Sequence, residues 1–170
     1  MSSANTLRVT TPSDREIVLK RVFDAPRELV FQAWTKPELL KRWLLGPPGW
    51  EMVVCQVATK VGERYRYEWR NAEGTQFGVG GVCREFAPPS RFVTAEKMDG
   101  QPGECLVTAT LDEQDGKTAL TLTLFYESRE IRDLALKSGM ERGVAASYDR
   151  LDTVLLSLAG HADFQSGASA

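Results

Sequence analysis

The stretch Val22–Trp50, VFDAPRELVFQAWTKPELLKRWLLGPPGW, decides the fold and holds three of the four tryptophans of the chain. Pro26 and Pro37 each stand where a first helical residue is expected, because proline is pre-organised for the first turn of a helix. The stretch therefore predicts a strand end, two short helices and a turn at Gly46–Gly49. The apolar faces of the two helices are predicted to be Val30, Ala33 and Trp34, and Leu40, Trp43 and Leu44.

On both sides of this stretch apolar residues alternate with a period of two, which is typical of strands. One strand is predicted before it, at 16–24. Six more are predicted near 50–58, 63–70, 76–86, 91–98, 104–112 and 118–127, joined by short turns rich in Gly, Pro, Asn and Asp. Because such short connections join antiparallel neighbours, the sequence predicts a seven-stranded antiparallel sheet.

The C-terminal part is predicted to be helical, with a short helix after Ser128 and then a long amphipathic one. Its apolar stripe recurs every three or four residues: Met140, Val144, Tyr148, Leu151, Leu155 and Leu158. This stripe and the apolar sheet face must bury each other, and a strongly twisted sheet curls around such a helix. The predicted fold class is α+β: a curved seven-stranded sheet wrapped on a long C-terminal helix, with two short helices after strand 1. Residues 15–160 are predicted to form a single domain, after a loose leader (1–14) and before a disordered tail (161–170).

Composition excludes several functions. The net charge is −2 and no basic run reaches five residues, which argues against nucleic acid as a partner. The three cysteines form no CxxC pair, so neither a disulfide framework nor a zinc site is expected. His161 is the only histidine, so a histidine triad or a histidine metal site is not expected either. We expect no cofactor. No signal peptide and no membrane span are predicted, and a cytoplasmic location is expected.

Side-chain parity predicts which residues face the space between the sheet and the long helix. In the strand 63–70, Tyr65, Tyr67 and Trp69 share the inward face. Trp34 is predicted to lie in the core, whereas Trp43 and Trp50 flank the Gly/Pro turn and are candidates for the mouth of a pocket. These rings could equally be ordinary core packing. The predicted ligand-binding residues are Trp43, Trp50, Tyr65, Tyr67, Trp69, Phe92, Glu96, Leu122, Leu124, Tyr126, Val144 and Tyr148.

Glu96 is the one catalytic candidate. By parity it shares a face with Phe92, and an inward carboxylate among apolar side chains would have a raised pKa or an arginine partner. Such a group could serve acid–base catalysis or recognise a polar ligand group. Alternatively, Glu96 is an edge residue that reaches solvent, or a bulge inverts its parity. The sequence alone favours this second interpretation.

Several segments together resemble a known family: APRELVFQAWTKPELLKRW, GPPGW, the pair Gly62-Glu63, REFAPPSRFV and SGMERGVAASYDRLDTVL. In order and spacing, over about residues 15–159, they resemble the activator of heat-shock protein ATPase homologue-like family. This family is part of the START/Bet v allergen-like superfamily, also called SRPBCC or polyketide cyclase-like, and the resemblance implies its helix-grip fold. Relatives commonly have WWGP where this chain has Trp43-Leu44-Leu45-Gly46-Pro47, and often have tryptophan near Glu96.

The resemblance leaves three functions open. The expected one is binding of a small hydrophobic or aromatic molecule in an internal cavity, without catalysis. The alternatives are a non-histidine acid–base enzyme of cyclase or hydrolase type, and an interaction module that docks a chaperone or a second copy. A chaperone interaction is the least expected, because the co-chaperones that gave the family its name have a separate N-terminal domain, for which 170 residues leave no room. Either a monomer or a homodimer is compatible with the sequence.

Overall fold

The computed structural model describes the backbone of residues 5–167 and the side chains of residues 5–160. Within this part of the chain there are eight strands and four helices. The strands are β1 (Arg8–Thr10), β2 (Glu16–Phe23), β3 (Trp50–Gln56), β4 (Arg64–Asn71), β5 (Gln76–Ala87), β6 (Arg91–Met98), β7 (Cys105–Gln114) and β8 (Lys117–Tyr126). The helices are α1 (Arg27–Thr35), α2 (Pro37–Trp43), α3 (Arg129–Lys137) and α4 (Met140–Gly167).

The strands form one open antiparallel sheet in the order β1-β2-β8-β7-β6-β5-β4-β3. The predicted α+β helix-grip architecture is confirmed, with one strand more than predicted. This extra strand, β1, lies in the segment predicted to be a loose leader, where Arg8 pairs with Lys20 of β2. Three residues are too few for an alternating pattern to be recognised, so β1 was not predicted from the sequence.

The last helix also differs from the prediction. It runs from Met140 to Gly167 and so continues past the predicted end at Leu158. The predicted tail, 161–170, lies outside the residues whose side chains are described, and residues 168–170 lie outside the described backbone. No helix within residues 5–167 is both long and apolar enough to cross a bilayer.

The tryptophan-rich stretch packs into the core through a cluster of four rings, Phe23, Trp34, Trp43 and Tyr148. The ring centroids of Trp34 and Trp43 are 4.6 Å apart, and those of Phe23 and Tyr148 are 5.6 Å apart. Trp43 is only 1% exposed, and its Nε1 donates a hydrogen bond of 3.0 Å to the carbonyl oxygen of Ala33. Trp43 is therefore a core residue that joins α1, α2 and α4, and its predicted position at a pocket mouth is wrong.

The glycines of β5 lie in regular strand pairing, without a bulge at them. The register of β5 shifts between Cys83 and Glu85, beyond the glycines. At Gly81 the reason for glycine is a close approach, because a Cβ there would collide with the carbonyl oxygen of Ala95 on β6. Gly81 therefore keeps the inner face of β5 bare at one position, and this matters for the site below.

Candidate ligand-binding cavity

A cavity of about 470 Å³ lies between the inner face of the sheet and the helices. Its volume is within the range of about 300–1,000 Å³ that is usual for small-molecule sites. Most of its wall is apolar, and aromatic rings form a large part of it: Trp34, Trp43, Tyr65, Tyr67, Trp69, Phe77, Phe86, Phe92, Tyr126 and Tyr148.

All of the predicted ligand-binding residues except Trp50 line this cavity. Trp50 packs edge-on against Phe77, with ring centroids 5.1 Å apart, and Phe77 lies between it and the cavity. Trp50 begins β3 at the rim of the sheet, where the ring of Phe77 covers the cavity wall. The prediction that Trp50 lines the pocket is therefore wrong. Trp34 was predicted to lie in the core. It belongs to the four-ring core cluster, but it is only partly buried and also lines the cavity.

Exposed residues line the cavity in three regions. They are Pro47 in the Gly/Pro turn after α2, then Met98, Gln101 and Pro102 at the end of β6 and in the β6–β7 connection, and Ser138 and Gly143 around the start of α4. The connection packs closely on α3, since a Cβ on Gly103 would lie 2.8 Å from Cδ1 of Ile131. The sequence predicted only a turn here, and a turn pattern carries no signal that it borders a cavity.

A row of side chains crosses the inner face of the sheet from β4 to β8. Strand pairing places Tyr65 opposite Gly81, Gly81 opposite Glu96, Glu96 opposite Cys105, and Cys105 opposite Tyr126. These five residues are called the polar row below. Since Gly81 has no side chain, the Tyr65 hydroxyl reaches across β5 and donates a hydrogen bond of 2.6 Å to Oε2 of Glu96. The polar row therefore places the carboxyl group of Glu96 within a mostly apolar wall.

Glu96 faces the cavity, so the solvent-facing interpretation that the sequence favoured is wrong. No bulge interrupts β6 next to it, and strand parity holds. The side chain keeps some accessible surface, but this surface borders the cavity rather than bulk water. Desolvation consequently raises the pKa of Glu96, and the hydrogen bond from Tyr65 opposes this effect only in part.

The other ionisable members of the polar row remain protonated near neutral pH. Burial, and next the charge of Glu96, raises the pKa of Tyr65 above its ordinary range. Burial likewise raises the pKa of Tyr126, and it raises the pKa of the Cys105 thiol to about 12. Cys83 also lines the cavity, and burial raises its pKa too. A thiol acts as a nucleophile through its thiolate, so these cysteines are poor nucleophiles.

The turn after α2 is tied to the cavity wall by its carbonyl groups. Nε1 of Trp69 donates to the carbonyl oxygen of Leu44 at 2.9 Å. From α4, the guanidinium of Arg150 donates to the carbonyl oxygens of Trp43 and Gly46 at 3.3 and 3.0 Å. The turn thereby connects β4 with α4 and holds α2 over the cavity.

Sequence reasoning missed one buried charge beside the core. Arg21 is 3% exposed, and its Nη2 lies 2.5 Å from Oδ2 of Asp152 and 2.8 Å from Oδ1 of Asp149 on α4. Of the two aspartates, Asp149 is exposed at the helix surface and Asp152 is partly buried. The available signal was parity, because Arg21 falls on the inward face of β2 with Leu19 and Phe23.

The described part of the chain contains no group of three or more His, Cys, Asp or Glu residues that could hold a metal ion. The side chains that line the cavity can themselves offer apolar contact, aromatic stacking, and hydrogen bonding or proton exchange at Glu96.

Glu96 supplies a testable pH dependence of stability. Because its pKa is higher in the folded protein than in the unfolded chain, its contribution is full below the unfolded pKa of about 4.3 and is lost as pH rises through the folded pKa. The free energy of unfolding of the wild type, minus that of Glu96→Gln, should therefore fall as pH rises. Urea unfolding between about pH 4 and pH 8 measures this difference. A difference that is flat over this range would contradict the desolvated position of Glu96.

Comparison with known proteins identifies similar chains. A family model described as Activator of Hsp90 ATPase homolog 1-like protein matches residues 24–156. A crystal structure of a protein from Rhodobacter sphaeroides is 31% identical, and the match covers 89% of this chain and 99% of that chain with a TM-score of 0.86. No curated protein shows significant sequence similarity to this chain.

Two more distant structures support the fold alone. A crystal structure of a protein from Nitrosomonas europaea is 21% identical, with 88% of this chain and 99% of that chain covered and a TM-score of 0.78. A solution structure of an AHSA1-like protein from Aeromonas hydrophila is 18% identical, with 81% and 92% covered and a TM-score of 0.68.

Proposed function

The chain belongs to the family of Activator of Hsp90 ATPase homolog 1-like proteins, within the START/Bet v allergen-like superfamily, and on that premise we propose that it binds a small hydrophobic molecule in its cavity. The observation that carries the proposal is the space of about 470 Å³ lined by aromatic rings and one inward carboxyl group. A largely apolar pocket with a few placed polar groups is the usual form of a small-molecule site.

Affinity would come from burial of the ligand's apolar surface against the sheet and α4. This contributes about 25 cal/mol per Å² before the costs of ordering the ligand and the protein are subtracted. The rings at Tyr67 and Trp69 pack edge-on, with centroids 6.4 Å apart, and Trp69 stacks on Phe77 at 4.9 Å. These rings support one another, so the wall is formed before a ligand arrives, which lowers the ordering cost.

Filling the cavity tests the proposal. Val144 lies on α4, is partly buried and lines the cavity, so Val144→Trp would place an indole in the space that a ligand needs. We expect the affinity for the neutral fluorescent dye Nile red to fall by about tenfold or more in this variant, which corresponds to about 1.4 kcal/mol. Fluorescence titration measures it.

The matched control is Leu156→Trp. Leu156 is on the same helix but is 69% exposed and does not line the cavity, so the same residue type is added outside it. Dye binding should be unchanged in this control. Equal dye affinity in Val144→Trp and in the wild type, with both proteins folded, would show that the dye does not bind in the cavity.

A second candidate function, acid–base catalysis, is favoured by one contact, the hydrogen bond from the Tyr65 hydroxyl to Glu96. A carboxyl group with a raised pKa suits a general acid, and a tyrosine that stays protonated can donate a hydrogen bond to a developing negative charge. Turnover of an aryl ester that Glu96→Gln abolishes would support this candidate, whereas equal turnover by both proteins would count against it. A chaperone interaction stays a prediction from the family resemblance.

A further inference from the structure

The charges that border the cavity are of one sign. Among its described lining residues there is no lysine, arginine or histidine, and the two that carry a formal charge when ionised near neutral pH are Glu96 and Glu104. Glu104 is in the β6–β7 connection, close in sequence to the exposed Gln101 and Pro102, whereas Glu96 is in the polar row. Glu96 is therefore shielded from bulk water in the cavity, but none of the described lining residues is a cation that could pair with it.

Glu96 has hydrogen-bonding capacity left over. Its Oε2 accepts from Tyr65, and no other hydrogen bond to the Glu96 side chain exists among the described residues. A carboxylate can accept about four hydrogen bonds, so its remaining lone pairs face the cavity. Apart from Glu104, the other ionisable groups among the described lining residues are phenols or thiols: Tyr65, Tyr67, Cys83, Cys105, Tyr126 and Tyr148.

The aromatic wall next to Glu96 is suited to the same kind of charge. Tyr65 and Tyr67 are neighbours on β4, with ring centroids 5.3 Å apart, and Trp69 continues the series. The faces of such rings carry partial negative charge and attract cations, by about 0.5–2 kcal/mol for each good contact. A carboxylic acid in the ligand would instead meet Glu96 as a like charge.

We infer that the molecule bound in this cavity is a hydrophobic amine, whose ammonium group pairs with Glu96 while its apolar body lies against the rings of Tyr67 and Trp69. The inference rests on the proposed function, because it names the ligand class of the same cavity. The bound ammonium supplies the positive partner that the wall lacks, and in a site of low dielectric such a pair is far stronger than in water.

Three probes with one apolar body test the ligand class: 4-(biphenyl-4-yl)butylamine, the corresponding alcohol and the corresponding carboxylic acid. Isothermal titration calorimetry near neutral pH measures their affinities for the wild type, for Glu96→Gln and for the charge-matched control Glu73→Gln. Glu73 is exposed in the β4–β5 turn, away from the cavity, so its replacement removes the same charge without touching the site.

For the wild type and for Glu73→Gln we expect the amine to bind about tenfold or more tightly than the alcohol, and the acid to bind most weakly. In Glu96→Gln this preference should fall to about threefold or less, while the alcohol still binds, which also shows that the variant is folded. If the wild type binds the alcohol or the acid as tightly as the amine, the inferred ligand class is wrong, but the proposed binding of a hydrophobic molecule is not affected. An unchanged amine preference in Glu96→Gln would also contradict the ligand class without affecting the proposed function. If the wild type binds none of the three probes and no Nile red, the proposed function fails and this inference fails with it.

Discussion

Replacing Trp43 with alanine should lower the free energy of unfolding by about 3–5 kcal/mol, the usual cost of truncating a buried tryptophan. The indole is 1% exposed and contacts the rings of Trp34 and Tyr148, with centroids at 4.6 and 6.1 Å. Its truncation also leaves the buried carbonyl oxygen of Ala33 without its donor. Urea unfolding, followed by circular dichroism, measures the loss.

The matched control is Trp50→Ala, which truncates the same residue type in the same stretch. Trp50 is partly exposed and has one aromatic neighbour, Phe77, so we expect a cost of about 1–2 kcal/mol. Similar costs for the two variants would contradict the assignment of Trp43 to the core and of Trp50 to the rim.

Removing both carboxylates that face Arg21 should have the second largest effect. In Asp149→Ala/Asp152→Ala the guanidinium keeps its buried position but loses its two ion pairs, which leaves an uncompensated charge. Nε of Arg21 has no hydrogen-bond partner among the described residues even in the wild type. No acceptor at Nε would therefore compensate for the two lost carboxylates. Breaking a buried pair in this way costs about 3–5 kcal/mol, and the exposure of Asp149 places the expected value near 3.

A third substitution separates this cause from a simple loss of contacts. Adding Arg21→Met to the double variant removes the buried charge and puts a side chain of similar length in its place. Since a buried ion pair replaced by apolar groups is often neutral, the triple variant should regain most of the lost stability. A triple variant less stable than the double variant would show that the Arg21 side chain stabilises the fold by itself.

The sequence predicted the sheet, the helices and the parity of the cavity wall because these depend on local periodicity. Tyr65, Tyr67 and Trp69 repeat at a period of two, and the stripe of α4 repeats every three or four residues. Each pattern is set by the geometry of one element. The same parity placed Glu96 and Phe92 on one face, and the structure has both on the cavity side.

What the sequence could not give depends on contacts between distant segments. Whether Glu96 contacts water or a tyrosine depends on β4, β5 and β6 lying side by side, with Gly81 in the middle. Gly81 is 16 residues from Tyr65 and 15 residues from Glu96 along the chain. The partners of Arg21 lie on α4, at the other end of the sequence. Trp43 and Trp50 stand on either side of the same Gly/Pro turn. Only the packing of α2 on α4 distinguishes the core ring from the rim ring.

The most direct measurement for the central claim is native mass spectrometry of the protein with the amine probe in excess. The account predicts a complex with one probe molecule per chain for the wild type, and mostly free protein for Val144→Trp under the same conditions. If the wild type remains free while it also fails to bind the neutral alcohol and Nile red, the cavity between the sheet and α4 is not a binding site. If Val144→Trp forms the same complex as the wild type, the ligand binds elsewhere, and the account is contradicted.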